Sequence, residues 1–239
     1  MLRTLISGLL LAAGPLCAQT VDPAGAASLV LTGNFAAVEV VASPDDQIHY
    51  THTVTVNGAT LPDLGKVAID RGNGELTLRE AHPTQEEIGE LCRDGQTRRY
   101  RDHCNSEIRL RVAVPAGLPV AVETVYGGIT VTDLAGLTAA RSTYGVVTVK
   151  FAAVAPPATL DLYSNYGDVD LALPADVAAE VELETQYGSL LTDCDIDIDA
   201  AASERRAFFE RVVGSLGAGG GTRVTCRSPY DTVYLRRSE

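Results

Sequence analysis

The chain has 239 residues, is 46% hydrophobic and carries a formal net charge of −12. That charge makes it unsuited to nucleic acid or anionic membrane surfaces. Beyond the first twenty residues, no run is long and apolar enough to cross a bilayer as a helix.

The N-terminus reads as an export signal. Arg3 supplies a positive charge, residues 4–16 are apolar and uncharged, and Ala18 is a small residue suited to cleavage. Residues 1–18 are therefore expected to be removed. Lipidation of Cys17 is disfavoured, because Leu16 stands where a small residue is wanted. Four cysteines then remain: Cys92, Cys104, Cys194 and Cys226. In an exported chain an even number suggests two disulfides. Of the three pairings, adjacency favours Cys92–Cys104 with Cys194–Cys226. Zinc binding by His82, Cys92, His103 and Cys104 lacks the tight Cys-x-x-Cys spacing such sites use.

Residues 19–115 read as an irregular β region. Ile48, Tyr50, His52, Val54 and Val56 alternate with polar neighbours, as do Ile108, Leu110, Val112 and Val114. His52 on that apolar face reads as a packed histidine more readily than as a ligand. Residues 67–78 fit a strand-corner-strand template with Asn73-Gly74 at the corner. Residues 80–106 are polar, carry Arg93, Arg98, Arg99 and Arg101, and read as a solvated loop stapled by Cys92–Cys104.

From residue 116 the chain repeats itself. Rows centre on Tyr126, Tyr144, Tyr166, Tyr187 and Tyr230, at intervals of 18, 22, 21 and 43 residues. Gly127, Gly145, Gly167 and Gly188 follow the first four tyrosines, and Asp231 follows the last. Four places before each tyrosine stand Val122, Ala140, Leu162, Leu183 and Cys226. Two places before stand Thr124, Ser142, Ser164, Thr185 and Ser228. Three places after stand Ile129, Val147, Val169, Leu190 and Val233. The apolar phase is even before the tyrosine and odd after it. A straight strand alternates strictly, so the chain must turn there.

A repeat of this length with a corner predicts an all-β solenoid, each row one coil. The tyrosines would stack as a ladder, the hydroxyl residues would bond one another as a second, and the glycines would supply positive φ. The alternative is a β-sandwich of antiparallel hairpins.

An insertion covers residues 193–221. Asp193, Asp195, Asp197 and Glu204 mimic the spacing of a calcium loop, but Ile198 stands where the sharp turn needs glycine. The plainer reading is an exposed acidic strand. Residues 203–214 read as strand or loop more readily than as a helix.

The row VETVYGGITVTDLAG, its successors and the closing GSLGAGGGTRVTCRSPYDTVYLRR resemble the bacterial candidate-adhesin family, also called a domain of unknown function. RLRVAVPAGLPVAVET carries the likeness further back, and it weakens toward Leu29. The resemblance implies a right-handed parallel β-helix and, at the level of the fold only, a surface-binding role. Asp231 in place of a corner glycine and the cysteine-bearing insertions depart from it.

The repeat columns carry architecture, so function belongs on the variable outward positions, such as Arg141 and Glu184. The carboxylate pairs Asp168/Asp170 and Glu182/Glu184 are side by side on one strand, not opposed across a groove as glycosidases need. No phosphate loop, nucleophile elbow or metal-ligand run appears. The expectation is an exported, non-enzymatic envelope or surface binding module without cofactor, its partner an envelope polymer or a protein. A sensory or regulatory envelope protein is the alternative, and after it a polysaccharide-acting β-helix enzyme. Arg236, Arg237 and Glu239 at the terminal strand predict a monomer, since an edge of charged residues resists pairing.

Overall fold

The structure, a computed structural model, describes residues 18–94 and 105–238, the side chains of 91–94 excepted. Residues 1–17 of the expected export signal, the Cys92–Cys104 pairing and the arginine cluster lie outside the described residues.

Alternating residues become strands because one face of each can be buried. The strands form two large mixed sheets, one of ten and one of eleven, and neither closes into a barrel. The two inner faces share one apolar core, which includes Leu31, Leu110, Phe151 and Leu162. Two facing sheets are also what the sandwich alternative supposes. The sheets are mixed: row-to-row pairings within the repeats are parallel, and antiparallel pairs flank them.

Each row gives one strand to each sheet. Val120–Thr124, Leu137–Ser142, Thr159–Ser164, Ala179–Thr185 and Thr222–Ser228 lie in the eleven-stranded sheet. Ile129–Thr132, Val147–Lys150, Val169–Leu173, Leu190–Thr192 and Val233–Arg237 lie in the ten-stranded sheet. Registers follow the sequence columns. Val122 pairs with Ala140, Ala140 with Leu162, and Leu162 with Cys226. Ile129 pairs with Val147, Val147 with Val169, and Val169 with Val233.

Spatial order departs from chain order. The Tyr230 row lies between the Tyr166 row and the Tyr187 row, not beyond it. Two features cause this. Residues 193–221 fold back, so that Phe209–Leu216 pairs antiparallel along the outer edge of Ala179–Thr185. The run Gly217-Ala218-Gly219-Gly220-Gly221 then crosses beside residues 177 and 178. Its four glycines have φ between 59° and 70°, and a Cβ on Gly221 would lie 2.5 Å from the Ala178 carbonyl oxygen. The chain therefore returns on the inner edge of the same strand. The strand bearing Arg236 and Arg237 is interior, and the end strand of the ten-stranded sheet is Leu190–Thr192.

A further row escaped the tyrosine pattern. Ser28–Gly33 and Ala37–Ala42 flank Phe35 and pair in parallel with Val120–Thr124 and Ile129–Thr132. Leu31, Val38 and Val40 occupy its apolar columns, with Gly33 in the hydroxyl column. Residues 67–78, in contrast, are no row. Lys66–Gly72 and Glu75–His82 form an antiparallel hairpin within one sheet. Asn73 and Gly74 both have positive φ (54° and 78°), which a two-residue hairpin turn requires. The polar stretch after it is not all loop either. Gln85–Asp94 is a helix. Thr84 and Glu87 cap it reciprocally: the Glu87 amide donates to Thr84 Oγ1 at 3.2 Å, and Glu87 Oε2 accepts from the Thr84 amide at 2.7 Å. Those bonds, with His82 beside it, hold the Glu87 carboxyl down at about 2.

Candidate binding surface

At the four Tyr-Gly corners the tyrosine and the residue before it face outward, while the glycine faces in; at the Tyr230 corner Asp231 takes the glycine's place. The rings stack in the order Phe35, Tyr126, Tyr144, Tyr166, Tyr230, Tyr187. Centroid separations run from 4.8 to 5.3 Å and interplanar angles from 6° to 18°. Parallel strand spacing sets that repeat. Phe208 closes the series at 5.8 Å from Tyr187, tilted by 39°. Each tyrosine is about half exposed. Ring faces cover one another, so the surface presents ring edges and phenol groups in a line.

The hydroxyl column does not bond to itself. Ser142 Oγ accepts from the Gly145 amide at 2.8 Å and donates to the Gly127 carbonyl at 3.1 Å. Ser164 repeats this with Gly167 and Gly145, and Ser228 with Asp231 and Gly167. Thr185 does the same with Gly188 and Asp231. These four hydroxyls each close their own corner and tie it to a neighbouring row, whereas Thr124 donates to the Gly127 carbonyl of its own corner at 2.6 Å. These are buried backbone groups that would otherwise go unpaired.

Nor do the corner glycines have positive φ; none is among the residues with it. They are needed because the rows approach closely. A Cβ would lie 1.8 Å from the Ala36 carbonyl oxygen at Gly127, and 2.1 Å from that of Gly127 at Gly145.

The outward columns are knit by charge. Arg141 and Arg227 both reach Asp161, Arg227 at 3.2 Å. Arg211 meets Glu182 at 2.8 Å, and Arg236 meets Asp170 at 3.2 Å. Asp168 titrates high, through burial and a hydrogen bond shared with Asp231. A groove of about 590 Å³ on the ten-stranded sheet contains Thr51, Thr53 and Thr130 with the Arg111–Glu39 pair, 2.9 Å apart.

His52 faces the core, as its alternation predicts. Its Nε2 lies 3.8 Å from Glu80 Oε1, and both side chains are 1% exposed. The other oxygen, Glu80 Oε2, accepts from the amides of Asn34, Phe35 and Ala36. A buried carboxylate thus closes the Phe35 corner, which has no hydroxyl residue of its own. Burial pushes His52 below its ordinary value, against the pull of Glu80.

The proposed calcium ligands do not converge. Asp193 Oδ1 accepts from the Arg237 amide, Asp195 pairs with the Arg237 side chain at 2.6 Å, and Glu204 pairs with Arg206 at 3.0 Å. Asp197 lies on a short strand, Asp197–Ile198, against Ser215. Among the described residues no three His, Cys, Asp or Glu side chains gather as a metal site would. Cys194 and Cys226 are free, which corrects the expected bond. Cys226 points into the core from the eleven-stranded sheet; Cys194 sits just after the end strand of the other sheet, against the Leu235 carbonyl.

No family model matches the chain, and no curated protein matches it. Among solved structures, a candidate cell adhesion protein from Clostridium sporogenes superposes with a TM-score of 0.56. The match covers 93% of this chain and 100% of that one, at 9% identity. At that identity the likeness shows the fold alone. A candidate adhesin from Bacteroides fragilis aligns over 95% of this chain at 10% identity, but its TM-score of 0.32 carries no argument.

Proposed function

We propose that the chain is an exported, non-enzymatic surface or envelope binding module. Its repeat portion is a parallel β-solenoid that holds a rigid line of aromatic edges. The solenoid reading is supported by the in-register parallel pairing of successive rows in both sheets. The binding reading is carried by the stacked aromatic edge. Exposed aromatics in an unbroken row are a contiguous apolar surface, and such surfaces mark interaction sites. Because the ring faces are covered, the edge offers C–H groups and phenol hydroxyls in alternation, which suits a hydroxyl-rich polymer or a protein surface. The name of the Clostridium sporogenes protein points the same way. Against catalysis, Glu182 and Asp170 are each engaged by an arginine.

The test is a glycan array with a cell-adhesion assay on the exported chain and on Tyr144→Ala/Tyr166→Ala. Binding that falls in the double variant, with the melting temperature held, supports the reading. Tyr144→Phe/Tyr166→Phe separates loss of hydroxyls from loss of the ring edge. Turnover of any polymer by the unaltered protein would overturn it.

A further inference from the structure

The two sheets end differently at the same end of the stack. In the eleven-stranded sheet, the outer edge of Ala179–Thr185 is covered by Phe209–Leu216 from Ala179 to Thr185. That strand is covered in turn by Asp197–Ile198 and Glu204–Arg206. In the ten-stranded sheet, nothing among the described residues covers Leu190–Thr192. The chain closes one edge and leaves its neighbour open.

The open edge is defined by the bonds that precede it. In every earlier row, the amide three places after the aromatic donates to a carbonyl of the next row. Val38 donates to Gly128, Ile129 to Val146, Val147 to Asp168, Val169 to Thr232 and Val233 to Ser189, at 2.8–3.0 Å. Leu190 is the next amide in that series, and no further row receives it. By strand alternation the Thr192 amide faces the same way. On this strand the side chain of Leu191 is exposed.

We propose that Leu190–Thr192 is a strand-addition site, which takes an extended segment of another protein with basic flanks. Only an extended chain offers carbonyls at the spacing these amides need. The choice of a basic partner rests on charge. The chain leaves this strand through Asp193, Asp195, Asp197 and Asp199, and among the described residues the cation paired with them is Arg237. A second copy would bring the same acidic run and a further net charge of −12 to the contact. This surface is separate from the aromatic edge, and the proposal stands or falls independently of the reading above.

The probe is a synthetic peptide copying residues 230–237, YDTVYLRR, which already lies parallel to Leu190–Thr192 along its other edge. Added to the full chain, it should bind saturably and slow hydrogen exchange at the Leu190 and Thr192 amides. A scrambled peptide of the same composition should do neither. Leu190→Pro removes the free donor without removing a bond the chain makes itself, so it should weaken binding about tenfold or more. If that variant does not fold, Thr192→Pro tests the other amide, with Thr192→Val as the control for the bond its hydroxyl accepts from the Cys194 amide at 2.9 Å. No binding by the peptide, or binding indifferent to both prolines, overturns the site. Self-association of the protein that Leu190→Pro abolishes overturns the choice of occupant in favour of a second copy.

Discussion

The Ser164 hydroxyl donates to the Gly145 carbonyl oxygen at 2.8 Å, across the gap between two rows. The same oxygen of Ser164 accepts from its own corner at Gly167, 3.0 Å away. One atom therefore satisfies two buried backbone groups. Ser164→Ala should cost about 1–3 kcal/mol, the range for leaving buried polar groups unpaired. Ser164→Thr, which keeps the hydroxyl, should cost less. Urea unfolding of both variants measures the difference.

A Cβ on Gly145 would meet backbone, not a movable side chain. Gly145→Val should therefore destabilise by about 3 kcal/mol or more, beyond ordinary overpacking. Gly145→Ala adds that one atom alone and should also destabilise; Gly117 has nothing within 4 Å of the same added atom, so Gly117→Ala is its matched control and should be near neutral. Equal effects in the two alanine variants would refute close row approach as the reason for glycine.

His52 should make stability depend on pH in a set direction. Burial lowers its folded value below the ordinary 6.5. The unfolded chain then binds the proton more tightly, so stability rises with pH across that window. The contribution is complete above about 6.5, is lost as pH falls below it, and levels off once folded His52 is protonated. His52→Gln should flatten the difference between pH 7 and pH 5. Glu80 faces the imidazole directly, so Glu80→Gln should steepen it by removing the opposing pull.

Burial pushes both the Cys194 and Cys226 thiols up, and Cys226 is fully enclosed. Without reductant, an alkylating reagent should label Cys194 slowly in the native protein and Cys226 only after unfolding. Peptide mapping that joins the two through a disulfide would contradict the structure.

Much of this was legible in the repeat columns. Val122, Ala140, Leu162, Cys226 and Leu183 are buried as their shared position predicts, because burial at a fixed phase leaves its mark on residue type. What glycine and serine do at the corner was not legible. Positive φ and close approach both select glycine, and a hydroxyl gives no sign of whether it meets another hydroxyl or backbone. The Phe35 row was hidden because Gly33 and Ala36 replace the hydroxyl and the glycine, and Glu80, distant in sequence, does their work. The order of rows was hidden for a different reason: matching columns say which residues align, not which edge of a strand comes next. The glycine run at 217–221 was the signal, since such a run permits a tight return.

That return makes the C-terminal row a keystone. Thr222–Ser228 and Val233–Arg237 sit between the Tyr166 and Tyr187 rows, so those neighbours in sequence have no shared edge until the last strand slots in. A chain still emerging from the ribosome can assemble its first rows as it goes, but must hold the Tyr187 row and its hairpin unplaced. Closure waits for residues 222–237, and such distant pairing slows folding. A deletion from residue 222 onward would not trim an end; it would take a course from the middle of the wall.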